Sequence, residues 1–138
     1  GSMAARFAHR NPGSVQGLAL MASYPASSDD LSQYEIDVLS IYGTNDGVMA
    51  EGALEASKAL LPADTRWIAI DGGNHAQFGW YGEQAGDAQA SISRLEQQQM
   101  IVEAAIDLLE ALKGSLAYQK QAGLVDSIFL KSTIRMLP

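Results

Sequence analysis

Two short polar stretches carry the residue types that general acid–base chemistry needs. Asp46 lies in Ile41-Tyr42-Gly43-Thr44-Asn45-Asp46-Gly47, and His75 lies in Gly72-Gly73-Asn74-His75-Ala76-Gln77-Phe78-Gly79. An imidazole titrates near neutral pH, so it can take a proton from a nucleophile and return it to a leaving group. A carboxylate beside the ring can fix its tautomer and stabilise its charged form. Asp46 and His75 are therefore predicted to form an acid–base pair.

Each candidate also has a structural interpretation. Asn45-Asp46-Gly47 is a strong turn sequence in any protein, and a loop histidine can simply bond a backbone carbonyl. Asp71 competes with Asp46 as the partner of His75, although ending its own strand is the simpler role. The other histidine of the chain, His9, lies near the end of a short surface helix pattern, where a solvated or helix-end role is expected.

A nucleophile for this pair is not found in its usual sequence context. No Gly-x-Ser-x-Gly occurs in the 138 residues, and that motif is how a strand-to-helix turn presents a catalytic serine. Gly1-Ser2-Met3 has the form of a cloning remnant followed by a start methionine, so Ser2 is assigned no role. Because loss of a nucleophile costs many powers of ten in rate, little or no ester hydrolysis is expected from the isolated chain.

The stretch 71–92 is rich in Gly, Asn, Gln and aromatic residues, which predicts a long functional loop. Its aromatic residues either line a pocket for an apolar acyl or alkyl group or pin the loop to the body, and the sequence favours neither alternative. These residues are Phe78, Trp80 and Tyr81. Gln77, Gln84 and Asp87 are candidates for organising the loop through hydrogen bonds.

Composition excludes several classes of function. Cysteine is absent and only two histidines occur, so neither a disulfide nor a metal site is expected. No phosphate-binding fingerprint is present, and no cofactor is expected. The net charge of −7 makes nucleic acid and anionic membranes poor partners. No apolar run reaches the ~18 residues of a membrane span, and no signal peptide is seen, so a cytoplasmic location is expected.

The elements that would position the pair alternate along the chain. A helix pattern at residues 3–10 precedes apolar strand patterns at 15–22 and 36–42, a helix at 51–61 and a strand at 66–70. This order predicts the α/β fold class, with a three-stranded parallel sheet and flanking helices.

A strong helix pattern follows the loop. Ser93 and Glu96 have the spacing of a capping box at its start, and Gly114 is its predicted end. Its predicted apolar stripe consists of Ile101, Ala105, Leu108, Leu109 and Leu112.

Residues 114–138 differ in character from those before them. Residues 1–113 carry 6 basic and 15 acidic side chains, whereas the rest carry 3 basic and 1 acidic. Helical spacing of Leu124, Val125, Ile128 and Phe129 competes with strand alternation of Ile128, Leu130 and Ile134, and a helix is favoured. The segment is too apolar for a free tail and is expected to dock on the core or on a partner subunit.

Together these motifs resemble a known family. The matching pieces are a helix ending in His9-Arg10-Asn11-Pro12, a strand ending in Ala22-Ser23-Tyr24-Pro25, and the stretches around Asp46 and His75. In this order they are similar to the C-terminal half of an α/β hydrolase of the small dienelactone-hydrolase type, over residues 4–113. The resemblance implies ester or related acyl hydrolysis, with Asp46 orienting His75. The nucleophile elbow that would precede the first helix is not in the sequence, so the triad is expected to be incomplete.

The missing strands predict a partner. In the complete fold the strand at 15–22 lies beside the strand that carries the nucleophile, so its exposed edge here can pair with another chain. A homodimer through this strand and the C-terminal segment is expected, with the sheet continuing across a two-fold axis. Two interpretations stay open: a hydrolase-derived domain, inactive alone but suited to a small ester-like ligand, and a non-catalytic truncated module that persists as a homodimer or interaction protein.

Overall fold

The computed structural model describes the backbone of residues 1–134 and the side chains of residues 1–118, 120 and 121. The elements are α1 (Ser2–Arg10), β1 (Gly17–Met21), β2 (Asp37–Gly43), α2 (Ala53–Ser57), β3 (Arg66–Ile70) and α3 (Arg94–Ile134), with 3-10 turns at Lys58–Leu60 and Ala76–Phe78. The strands form one parallel sheet in the order β1-β2-β3. The predicted α/β class, three-stranded parallel sheet and flanking helices are confirmed.

The parallel arrangement brings the segments that follow the strands to one end of the sheet. In the register, Met21 at the end of β1 pairs with Ile41, and Gly43 at the end of β2 pairs with Ile70 at the end of β3. Polar residues placed directly after these strands therefore meet in one region, which is where open α/β sheets bind ligands. Asp46 follows β2 and His75 follows β3.

The sheet is covered on both faces. Leu18 and Leu20 of β1 pack with α1 and with residues such as Leu31 and Val38 in one apolar cluster. On the other face Ile41 and Ile70 pack with Ile101 and Leu108 of α3 in a second cluster. Because successive side chains of a strand point to opposite faces, two-sided burial gives the near-continuous apolar runs seen in the sequence.

The start of α3 is fixed by the predicted capping box. The Ser93 N–H and hydroxyl donate to Glu96 Oε2 at 2.8 and 2.7 Å, and the Glu96 N–H donates to the Ser93 oxygen at 3.3 Å. The bonds from the Ser93 hydroxyl and from its backbone N–H lower the pKa of the Glu96 carboxyl. In the part of the chain described here, no helix combines the length and apolar character that crossing a membrane requires.

Three helix predictions need correction. The helix predicted at 51–61 begins only at Ala53, because Gly52 adopts a left-handed conformation with φ 72°, and it tightens into a 3-10 turn after Ser57. The buried stripe of α3 uses Ala104 rather than Ala105, and Leu109 is 57% exposed. The buried residues of α3 follow the helical spacing i, i+4, i+7 and i+11 counted from Gln97, namely Gln97, Ile101, Ala104 and Leu108.

The predicted helix end at Gly114 is also wrong, because α3 continues to Ile134. A glycine inside a helix costs only about 1 kcal/mol relative to alanine, and good helix formers flank this one. The preference for a helix in the C-terminal segment is confirmed as far as Ile134. Its predicted docking depends on the apolar residues from Leu124 onward, whose side chains lie outside the described ones.

Candidate active site

The structure brings Asp46 and His75 into direct contact. His75 Nδ1 lies 2.8 Å from Asp46 Oδ2, the Asp46 side chain is 2% exposed, and the His75 side chain is 20% exposed. A proton on Nδ1 donated to the carboxylate leaves Nε2 without a hydrogen and able to accept one. The contact therefore holds the ring in an orientation that suits a general base, and the tautomer with its proton on Nδ1 is the one that fits this role.

Asp46 also forms the turn that its sequence context suggests. Its second oxygen, Oδ1, accepts the backbone N–H groups of Val48 and Met49, both at 2.9 Å. The turn interpretation and the pair interpretation hold together, because each uses a different carboxylate oxygen. Residues 44–49 are called the acid loop below.

The segment that carries His75, residues 71–79, is called the base loop, and α3 holds it through a buried glutamine. Gln97 Oε1 accepts the Asn74 N–H at 3.0 Å, and Gln97 Nε2 donates to the Asn74 carbonyl at 2.8 Å. Gln97 is fully buried. A Cβ on Gly73 would lie 2.8 Å from Gln97 Oε1, so the glycine permits this approach. The residue before His75 is thus fixed at both its donor and its acceptor.

Asp87 joins the two loops. Its Oδ1 accepts N–H groups from Gly47 at 3.0 Å, His75 at 3.2 Å and Ala88 at 3.1 Å, and its Oδ2 accepts the Ala76 N–H at 2.7 Å. Burial acts to raise the pKa of this carboxyl, but the four backbone donors outweigh burial and place the pKa below its ordinary value. Asp87 is therefore an ionised acceptor at neutral pH.

The predicted hydrogen-bonding role in this loop is confirmed for Asp87 and also for Gln77, which donates from Nε2 to the Ile92 carbonyl at 3.1 Å. Gln84 takes part through its backbone carbonyl, which accepts the Asp87 N–H at 3.1 Å.

The two competing candidates have other contacts. Asp71 Oδ1 accepts the Thr44 hydroxyl at 3.3 Å, which links the ends of β2 and β3. His9 Nδ1 lies 2.9 Å from the Asp30 carbonyl oxygen, and the His9 carbonyl accepts the Tyr34 hydroxyl at 3.0 Å. Asp71 thus serves the strand ends, and His9 serves the end of α1.

Of the two roles left open above for the aromatic residues, the structure shows loop anchoring, by Phe78. Phe78 packs against the α3 side of the core and anchors the loop. Trp80 and Tyr81 are exposed, and the Arg94 guanidinium lies 5.4 Å from the centre of the Trp80 ring. Arg94 also donates to the carbonyls of Ala76 and Gly79. The loop is pinned by Phe78 and Arg94.

A cavity of about 280 Å³ opens beside the His75 ring. Its walls are the first residues of α1, the segment after β1, and two acid-loop residues. Besides His75, the cavity is lined by Gly1, Ser2, Ala22, Ser23, Tyr24, Val48 and Met49. The Ser23 hydroxyl oxygen is buried and has no hydrogen-bond partner among the described residues. Sequence reasoning gave these residues no role at the site. The available signal was their position just after a strand or at the start of α1.

The site pairs an imidazole with a nearly buried carboxylate. Within the described residues no group of three or more His, Asp or Glu side chains is arranged to hold a metal ion. A nucleophile brought into the cavity beside His75 would complete a constellation for acyl transfer.

Comparison with known proteins identifies a family. A model of the alpha/beta hydrolase family matches residues 1–99, a range that contains Asp46, His75 and Asp87. No curated protein and no solved structure matches the chain.

Proposed function

Because the chain belongs to the alpha/beta hydrolase family, we propose that Asp46 and His75 are the acid and base of a Ser–His–Asp triad for hydrolysis of esters or related acyl compounds. The proposal is carried by one observation, the 2.8 Å contact between His75 Nδ1 and the nearly buried Asp46 carboxylate. His75 Nε2 would take the proton of the attacking hydroxyl and deliver it to the leaving alcohol. Asp46 would stabilise the imidazolium formed between these steps.

The proposal places the nucleophile outside the 138 residues. A nucleophile elbow lies directly before a helix, and the first residues of α1 share the cavity with His75. A serine carried by chain joined ahead of α1, or by a complementing polypeptide, would enter that cavity. The oxyanion hole, built in part from the amide after the nucleophile, would arrive with it. Residues 1–138 alone are then expected to be inactive.

The first test uses the chain as it is. A fluorophosphonate probe should leave it unlabelled, and p-nitrophenyl acetate turnover should not exceed that of His75→Ala. Mass spectrometry would locate any label. Attachment at Ser2 or Ser23, the two serines that line the cavity, would contradict a nucleophile outside this segment.

The second test restores what the proposal requires. The natural coding sequence upstream of this region is read for an in-frame Gly-x-Ser-x-Gly, and the longer protein is expressed. Its elbow serine should be labelled, and turnover should fall by about 10⁴-fold in Asp46→Asn, as in triads with the wrong histidine tautomer. His9→Ala is the matched control and should keep full activity. Equal turnover by His75→Ala in the longer protein would refute the proposed function.

A second candidate function is a non-catalytic module that persists as a homodimer. It is favoured by the position of β1, which among the described residues pairs with β2 alone and leaves its other edge open. Under this alternative the edges of two β1 strands pair across a two-fold axis, with the C-terminal segment at the same interface. The two functions are separated by light scattering combined with the activity test. A dimer whose gene carries no upstream elbow supports the module.

A further inference from the structure

We propose that Asp87 is a positioning residue that sets the acid loop and the base loop at the separation required for the contact between Asp46 and His75. Its catalytic meaning rests on the proposed function, but the geometric role stands on contacts of its own.

The bonds of Asp87 reach both sides of the pair. Its carboxylate accepts the N–H of Gly47, the residue after the acid, and the N–H groups of His75 and Ala76, which are the base and its neighbour. One side chain therefore bonds the backbones of two loops that follow different strands. A shift of either loop relative to the other would break at least one of these bonds.

The segment around Asp87, residues 84–89, fits between the two loops. A Cβ on Gly47 would lie 2.6 Å from the Gly86 carbonyl oxygen and 2.7 Å from the Ala88 nitrogen, so the backbones touch there. Asn45 Nδ2 donates to the Gln89 carbonyl at 3.2 Å, on the acid side. Asn74 Nδ2 donates to the Ala88 carbonyl at 2.8 Å, on the base side.

The charge of Asp87 matters as well as its shape. A carboxylate is an acceptor at both oxygens, and its bonds to N–H donors are roughly twice as strong as those between neutral groups. An amide of the same shape would turn a donor toward at least one backbone N–H. Asp87→Asn should therefore weaken the bonds that join the acid loop to the base loop, and Asp87→Ala should remove them.

The test follows the tautomer of His75 by long-range ¹H–¹⁵N NMR of the 138-residue chain, recorded at alkaline pH so that neutral imidazole tautomers are compared. In the unsubstituted chain the His75 proton should reside on Nδ1, facing Asp46. Asp87→Ala should move it largely to Nε2, which a free imidazole side chain favours, and Asp87→Asn should give a mixture. His9 serves as an internal reference that should not change.

Glu83→Gln is the matched control. It removes one carboxylate charge from an exposed position of the same long loop and leaves the Asp87 bonds intact, so the His75 tautomer should be retained. A folded Asp87→Ala protein, with dispersed amide signals and an unchanged His75 tautomer, would overturn the proposal. If Asp87→Ala does not fold, an unchanged His75 tautomer in Asp87→Asn would overturn it in the same way.

The outcome is separable from that of the proposed function. If Asp46→Asn leaves the His75 tautomer unchanged, the acid–base pair itself is absent and the proposed function fails first. If Asp46→Asn changes the tautomer and neither Asp87 variant does, only the role of Asp87 is wrong.

Discussion

Asp46 and Asp87 are both carboxylates near one histidine, yet they hold different parts of it. Asp46 contacts the imidazole, whereas Asp87 bonds the backbone N–H of the same residue. A ring held only by its own partner could move with that partner, and a backbone held without a ring partner would leave the tautomer undetermined. Under the two proposals, these contacts together set the position of His75 and the placement of its proton, which is the preorganisation that catalytic sites require.

Asp46→Asn tests whether Asp46 Oδ1 holds the turn while Oδ2 contacts the His75 ring. The amide oxygen can still accept from Val48 and Met49, while the amide nitrogen faces His75 Nδ1 and donates to it. The unfolding free energy should therefore change by less than about 1 kcal/mol, whereas the His75 proton should move to Nε2. Urea unfolding and the histidine NMR spectrum check the two parts. A retained Nδ1 proton would show that Asp46 does not determine the tautomer.

Asp87 also gives a prediction on pH. Its pKa is lower in the folded chain than the ordinary value of 3.8. A lowered pKa contributes stability above the unfolded value, and that contribution is lost as the pH falls through the folded value. The unfolding free energy of the native chain should exceed that of Asp87→Asn by a constant amount from about pH 7 to about pH 5, and the difference should narrow as the pH falls further. A gap that widens in acid would contradict the assigned contacts.

The contact between Asp46 and His75 could be predicted from the sequence, whereas the bonds that Asp87 makes to the two loops could not. Asp46 and His75 each follow a strand in a recognisable turn or Gly-rich stretch, so parallel topology alone places them together. The donors that Asp87 bonds lie 40, 12 and 11 residues away, at Gly47, His75 and Ala76. They are backbone groups, which leave no trace in residue type. Only the folded path of the loops reveals such contacts.

At the element scale, the same residue type gave opposite outcomes at two helix boundaries. Gly52 takes a positive φ and α2 begins after it, whereas Gly114 lies inside α3. Sequence shows glycine at both places, and glycine is compatible with both conformations. β3 was predicted at 66–70 and is found at Arg66–Ile70, because Pro62 before it and Gly72 after it bound a short apolar run.

Gln97 of α3 holds the base loop through its two hydrogen bonds to the Asn74 backbone, and a substitution at Gln97 tests their contribution to stability. Gln97→Leu keeps the approximate volume but leaves the Asn74 N–H and carbonyl buried without their partner, at about 1–3 kcal/mol for each group. The unfolding free energy should fall by about 2–5 kcal/mol. Gln99→Leu, on the exposed side of the same helix, is the matched control and should change it by less than about 0.5 kcal/mol. Equal effects of the two substitutions in urea unfolding would contradict a stabilising role for the Gln97–Asn74 bonds.

In the whole molecule, the edge of β1 that faces away from β2 bears on both the proposed activity and the proposed dimer. The Ala22 N–H bonds the Ile41 carbonyl, so by alternation the N–H groups of Ala19 and Met21 point away from β2. A strand that delivers a nucleophile from upstream and a second copy of this chain would both require that edge. They therefore exclude each other, and a longer catalytic form should be monomeric under conditions in which residues 1–138 dimerise.

A proline at the end of β1 tests whether that edge forms the interface. Met21 is the last residue of the strand, its side chain is 39% exposed, and its N–H points to the open edge. Met21→Pro removes that donor without removing a bond to β2, and proline is tolerated on edge strands with this orientation. Light scattering should give the mass of a dimer for the native chain and for Met21→Ala, which keeps the N–H, and the mass of a monomer for Met21→Pro. Circular dichroism should show all three folded, and a dimer that survives Met21→Pro would place the interface elsewhere on the molecule.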